Sequence, residues 1–140
     1  MPCVLVIDDN VSVLQTLDFY LESEGYTVLQ AASGLTGLRL AADHPVDIVM
    51  LDIEMPQMSG LTVCETIKRT PTLRHLPILM MTARSTRDNL IRAKEVGASK
   101  VMVKPFDLDE LQAVLANLLL PAIEPLVNCS DISESDDEGL

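Results

Sequence analysis

Along this chain, short apolar runs rich in β-branched residues alternate with longer stretches whose apolar residues fall at helical spacing. The runs are Val4 to Ile7, Val28 to Ala31, Ile48 to Leu51, Ile78 to Met81 and Val101 to Val103, each of strand length and predicted to be a strand. Between and after them lie Val13, Leu14, Leu17 and Leu21, then Leu35, Leu38 and Ala42, then Leu61, Cys64 and Ile67, then Leu90, Ala93 and Val96, and finally Leu108, Leu111, Val114, Leu115 and Leu118. Each of these sets repeats every three or four residues, which predicts a helix with one buried face. Gly25 and Gly97 mark helix ends, and Pro45 and Pro77 precede the third and fourth strands. Five strand-helix alternations require right-handed crossovers, hence an α/β domain with a parallel sheet covered by helices on both faces. The near-continuous apolar strands agree, since burial on two sides leaves no polar face.

After Leu120 the periodicity stops. Pro121 and Pro125 lead into a Ser-, Asp- and Glu-rich stretch ending at Leu140, so residues 1–120 are expected to form the domain and 121–140 an acidic, flexible tail or linker. The length of 140 residues suits one core. A hydrophobic share of 48% with 3% aromatics makes that core one of Val, Ile, Leu, Met and Ala. The net charge of -11 excludes a binder of nucleic-acid backbone, which needs Lys and Arg to neutralise phosphates. Cys3, Cys64 and Cys129 are odd in number and lack metal-ligand spacing, so they read as free thiols, with Cys3 a buried core residue. No signal peptide is evident, and no apolar run approaches the roughly 20 residues that span a bilayer. A cytoplasmic protein is expected.

In an open α/β sheet, ligands bind beyond the carboxyl ends of the strands. There the first strand delivers Asp8 and Asp9, the third Asp52, the fourth Thr82 and the fifth Lys104. Each alone has an ordinary explanation: Asp9 or Asn10 as a helix cap, Thr82 as a strand former, Lys104 as a solvated cation. Together they place three carboxylates in one spot, and unrelieved repulsion there would raise a pKa or cost several kcal/mol. A divalent cation relieves it, and hard oxygen ligands with room for water suit Mg²⁺. A carboxylate beside Mg²⁺, a Lys and a Thr is equipped to become an aspartyl phosphate, with Asp52 as nucleophile.

Four segments then carry a family resemblance: Val4-Leu5-Val6-Ile7-Asp8-Asp9-Asn10, Leu51-Asp52-Ile53-Glu54-Met55-Pro56 with Ser59-Gly60, Met81-Thr82-Ala83, and Val103-Lys104-Pro105-Phe106. Over Pro2 to about Leu120 the chain resembles the receiver domains of response regulators. The resemblance implies a doubly wound, flavodoxin-like five-stranded parallel sheet in the order 2-1-3-4-5. It implies a histidine kinase or phosphotransfer protein as donor and an unknown downstream protein as receptor of the signal, with Asp52 the phosphoacceptor. It implies Mg²⁺ held by Asp9, Asp52 and the backbone carbonyl of Glu54, with Asp8 acting largely through water. Lys104 would pair with the phosphoryl group, Lys104-Pro105 would be a cis peptide, and Thr82 would move toward the phosphate. The receiver would catalyse only its own phosphotransfer and dephosphorylation, and a homodimer is among the assemblies open to it.

The chain departs from the family at Val101, where many receivers carry Tyr or Phe. Glu54 and Arg84 sit two beyond the acceptor Asp and the Thr, and their opposite charges suggest a pair at the entrance. His44 and His75 read as loop residues, and Arg84, Arg87, Arg92 and Lys94 as an exposed basic patch near the fourth helix. Three rivals stay open. A haloacid-dehalogenase-type phosphatase would want Asp where Glu54 stands, a phosphorylation-independent interaction module would have lost an acid, the Thr or the Lys, and a flavin would be repelled by Asp8 and Asp9.

Overall fold

The computed structural model describes residues 2–120, so the acidic tail expected over 121–140 and Cys129 lie outside the described residues. Ten elements alternate: β1 (Cys3–Ile7), α1 (Val11–Ser23), β2 (Thr27–Ala31), α2 (Gly34–Asp43), β3 (Ile48–Asp52), α3 (Gly60–Arg69), β4 (Ile78–Thr82), α4 (Arg87–Glu95), β5 (Lys100–Val103) and α5 (Leu108–Leu118). The five strands form one parallel sheet in the order β2-β1-β3-β4-β5, as expected from the alternation and the resemblance.

Successive residues of each central strand point to opposite faces, and both faces are covered. Leu5, Ile7, Val49, Leu51, Ile78 and Met80 pack with Ala41, Val63, Cys64, Ile67 and Ala93 from α2, α3 and α4. Val4, Val6, Ile48, Met50, Leu79 and Met81 pack with Leu14, Leu17 and Leu21 of α1 and Leu111 and Leu115 of α5. This double covering makes every residue of β3 and β4 buried, and that includes the polar Asp52 and Thr82 at their ends. Both strands run one residue further than the apolar pattern alone predicts, because the ladder still pairs Asp52 with Met81 and Thr82 with Val103.

Helix α2 packs differently from the expectation. Leu35 is exposed and Leu38 only half-buried, while Gly34, Gly37 and Ala41 form the inward face. A Cβ at position 37 would lie 2.4 Å from Cδ1 of Ile7, so the helix approaches the sheet more closely than leucines would permit. Cys3 is half-buried at the strand's outer end, not a core residue, and its N–H donates to Asp47 Oδ2 at 2.7 Å. Among the described residues no helix is long and apolar enough to cross a membrane.

Helix α1 starts where the Asn10 side chain accepts from Ser12 and Val13 N–H groups at 2.9 and 3.3 Å. Two orphan donors of the first turn depend on that oxygen, so Asn10→Ala should cost about 1 kcal/mol in urea unfolding. Both bonds lie within the chain itself, so the loss should appear without metal as well as with it.

Candidate functional site

The acid cluster is built from three chain segments. Asp8 follows β1, and its N–H donates to the Ala31 carbonyl at 3.0 Å, which continues the ladder one residue and buries the side chain completely. Its Oδ1 accepts from the Asn10 N–H at 2.9 Å, an Asx-type turn that aims the loop, and its Oδ2 accepts from Lys104 Nζ at 2.6 Å. Asp9 is exposed. Asp52, at the end of β3, is 3% exposed. One carboxylate oxygen from each of Asp8, Asp9 and Asp52 lies within 4.8 Å of the others.

Lys104 is brought in from the far end of the chain by β5, where its N–H donates to the Thr82 carbonyl at 2.7 Å, and the next peptide, Lys104-Pro105, is cis, as the resemblance implied. Nζ lies 3.3 Å from Asp52 Oδ1, near enough for an ion pair, yet that buried oxygen has no hydrogen-bond partner among the described residues. Burial, then the neighbouring Asp8 charge, push the Asp52 carboxyl up to about 6, with Lys104 opposing them and Glu54 adding to them. Burial also works against the charge on Lys104, but its hydrogen bond to Asp8 and the charges of Asp52 and Asp8 prevail, and its pKa is raised.

A buried carboxylate oxygen without a hydrogen-bond partner among the described residues, beside two further acids, is a donor set for a hard divalent cation, and all three candidate ligand atoms are carboxylate oxygens. The cluster therefore fits Mg²⁺, with one cation, Lys104, already in place to offset part of the charge.

The loop from Ile53 to Ser59 holds the other side of the site. Gly60 N–H and Ser59 Oγ both donate to the Ile53 carbonyl, at 3.0 and 3.3 Å, and Ser59 Oγ accepts from Leu61 N–H at 3.1 Å to cap α3. Within the loop, Met58 N–H reaches back to the Pro56 carbonyl at 2.7 Å across Gln57, whose φ is 69°. This is a γ-turn, a conformation a side chain adopts only under strain of about 1 to 3 kcal/mol.

Thr82 is fully buried, and its hydroxyl faces Glu54. Oγ1 lies 2.7 Å from Glu54 Oε2 and 3.0 Å from the Arg84 carbonyl, and it accepts from Arg84 N–H at 3.0 Å. Glu54 accepts further from Ala83 N–H at 3.1 Å and from Asn89 Nδ2 at 3.3 Å. The expected pairing of Glu54 with the Arg84 side chain is thus not formed: the carboxylate turns inward, where two neutral donors and a backbone N–H satisfy it, and Arg84 stays exposed. Asn89 is a residue the sequence offered no signal for, since it meets Glu54 across 35 positions.

Val101 is a half-buried strand residue packed against the core. His44 caps the end of α2 and His75 lies in the turn before β4, both outside the acid cluster. Arg84, Arg87, Arg92 and Lys94 are exposed, with Arg92 4.0 Å from Asp88.

The response regulator receiver domain model matches residues 4–116. Among curated proteins, the chain is 36% identical over 119 residues to the DNA-binding dual master transcriptional regulator RpaA of Synechocystis, covering 85% of this chain and 49% of that one. It is 41% identical over 104 residues to the response regulator PleD of Caulobacter vibrioides, covering 74% of this chain and 23% of that protein. The chain therefore spans half or less of these relatives' lengths. Among solved structures, the chemotaxis protein CheY4 of Vibrio cholerae superposes with a TM-score of 0.82 at 32% identity, covering 85% of this chain and 99% of that one. The response regulator TrrA of Thermotoga maritima, in complex with Mg²⁺ and BeF, superposes with a TM-score of 0.76 at 33% identity, covering 85% and 100%. A family match that runs through nearly all the described residues, on the flavodoxin-like sheet whose strand ends gather the acids, makes this chain a member of the response regulator receiver family of two-component signalling.

Proposed function

We propose that the chain is a phosphorylation switch in which Asp52 accepts a phosphoryl group from a phosphohistidine on a histidine kinase or phosphotransfer protein. The observation that carries this is the buried Asp52 oxygen, 3.3 Å from Lys104 Nζ and without a hydrogen-bond partner among the described residues, beside Asp8 and Asp9. Asp9, Asp52 and the Glu54 backbone carbonyl would hold Mg²⁺, with Asp8 contributing largely through water. When bound, Mg²⁺ supplies positive charge that keeps Asp52 ionised at neutral pH and offsets the negative charge growing on the phosphoryl oxygens. The neighbour captured with Mg²⁺ and BeF supports the same assignment.

Asp52 attacks phosphorus through one carboxylate oxygen, the P–N bond to imidazole breaks, and the imidazole leaves with the electron pair and takes up a proton. Lys104, held in place by Asp8, pairs with an oxygen of the transferred group, and Thr82 moves to donate to another. A largely apolar groove lined by Val13, Leu17, Pro105 and Phe106 opens beside Lys104. Transfer changes which downstream protein the chain binds. A net charge of -11 disfavours binding of nucleic-acid backbone by this chain, and the same reading assigns it to the cytoplasm.

Incubation with acetyl phosphate, with and without Mg²⁺, followed by intact mass measurement tests the assignment. Wild type gains one phosphoryl group only with Mg²⁺, Asp52→Asn gains none, and Lys104→Ala labels yet fails to switch. Absence of labelling in wild type would sink the phosphoacceptor reading and favour a phosphorylation-independent interaction module. Millimolar Mg²⁺ should also raise the melting temperature of wild type, through binding to the folded state, and raise that of Asp52→Asn far less.

A further inference from the structure

The Glu54 carboxylate is used by none of the steps above, although it sits at the switch. Its two oxygens accept from three donors that belong to three functions: the hydroxyl of Thr82, the N–H of Ala83 at the start of the β4–α4 loop, and the amide of Asn89 in the first turn of α4. The Thr82 hydroxyl has one proton to give. Of its two acceptors, Glu54 Oε2 at 2.7 Å is the closer and is charged, while the Arg84 carbonyl at 3.0 Å is neutral, so the proton goes to Glu54. Arg84 N–H then donates to the same Thr82 oxygen at 3.0 Å. Asn89 closes the ring, since its amide also reaches the Arg84 carbonyl at 3.2 Å.

We propose that Glu54 is a resting-state latch: its carboxylate holds the Thr82 hydroxyl away from Asp52 and ties the N-terminus of α4 to the loop after β3, so that phosphorylation must break this tie. The inference rests on Asp52 being the phosphoacceptor, and it gives Glu54 a positioning role that its backbone carbonyl does not have. The phosphoryl oxygens and the Glu54 oxygens compete for one buried proton. When the hydroxyl leaves, Arg84 N–H loses its acceptor and the Glu54 carboxylate is left beside a group carrying more negative charge than before. Both changes release the α4 end, through Asn89. This supplies a route from Asp52 to α4 that needs no aromatic ring at position 101, where this chain has Val101. The latch is a bias between two states, so its removal shifts the population toward the phosphoryl-bound arrangement without creating a new contact there.

Two measurements on the full chain test this. First, amide exchange of metal-free, unphosphorylated protein should show Ala83 and Arg84 exchanging faster in Glu54→Ala, with β1 and β3 still protected; unchanged exchange at both amides would overturn the latch. Second, beryllofluoride, titrated in fixed Mg²⁺ and followed by fluorine NMR, should bind Glu54→Gln roughly tenfold more tightly than wild type, the scale of losing one charge-assisted hydrogen bond to the resting state. In a Thr82→Val background that gain should vanish. A gain that persists there means Glu54 only repels the anion, and a Glu54→Gln affinity equal to or below wild type means it holds nothing back; either result overturns the proposal. Failure of wild type to bind beryllofluoride would instead count against Asp52 as acceptor, and the exchange measurement would still decide the latch.

Discussion

Without metal at neutral pH, Asp52→Asn should be more stable than the wild type by about 1 to 3 kcal/mol, even though it removes one partner of an ion pair. The Asp52 carboxyl is pushed up to about 6 by burial and by Asp8, above its value in the unfolded chain. A group raised in this way contributes stability that is fully present below the unfolded pKa and is lost as pH rises through the folded one. Metal-free wild type should therefore lose stability between about pH 4 and 6 relative to Asp52→Asn, which has no such proton to lose. Lys104 keeps its 2.6 Å contact with Asp8 in the variant, so no buried cation is stranded. Urea titrations of the two proteins across this range give the difference directly. Saturating Mg²⁺ should invert the order, since under the proposed assignment the ionised carboxylate that destabilises the metal-free protein would be a metal ligand. Equal stability of the two proteins at pH 7.5 without metal would show that the cluster is not electrostatically strained.

Gly60→Ala should be the most damaging glycine-to-alanine substitution among the described residues. A Cβ at position 60 would fall 2.1 Å from the Asp52 carbonyl oxygen and 2.9 Å from the Ile53 Cα. These are backbone atoms of a buried strand end and have no rotamer to escape into. Helix α3 would have to retreat, breaking the Gly60 N–H to Ile53 bond and displacing the backbone of Asp52, the proposed phosphoacceptor. A loss of about 3 kcal/mol or more is expected, together with slowed labelling by acetyl phosphate. Alanine at position 25 makes a useful contrast: its Cβ would meet nothing within 4 Å and would suffer only from the φ of +94°. Wild-type stability in Gly60→Ala would contradict the close approach of α3 to β3.

Much of this arrangement was legible because burial is periodic. An apolar run that must be covered on both faces leaves no polar residue inside it, so Asp8, Asp52, Thr82 and Lys104 stood out as interruptions at equivalent positions. The sheet order came from the resemblance, as periodicity does not choose among parallel orders. Helix α2 misled because its tight packing is achieved by Gly34 and Gly37, residues that carry no hydrophobic signal, and the eye falls on Leu35 instead. Glu54 was placed at the site entrance by its position after Asp52, but its partner was misjudged. Opposite charge suggested the Arg84 side chain, whereas the folded chain offers a buried hydroxyl and two amides, which satisfy a carboxylate without the entropy of holding two long side chains together. Contacts of this kind join residues 28 to 35 positions apart, and no local pattern announces them.

Of the three clustered carboxylates, Asp52 alone is proposed to attack phosphorus. After labelling with acetyl phosphate and Mg²⁺, borohydride reduction converts an aspartyl phosphate to homoserine, and peptide sequencing by mass spectrometry locates it. Homoserine at position 52 alone is the predicted result. Homoserine at position 8 or 9, or a phosphoryl group recovered on His44, His75 or a serine, would contradict it.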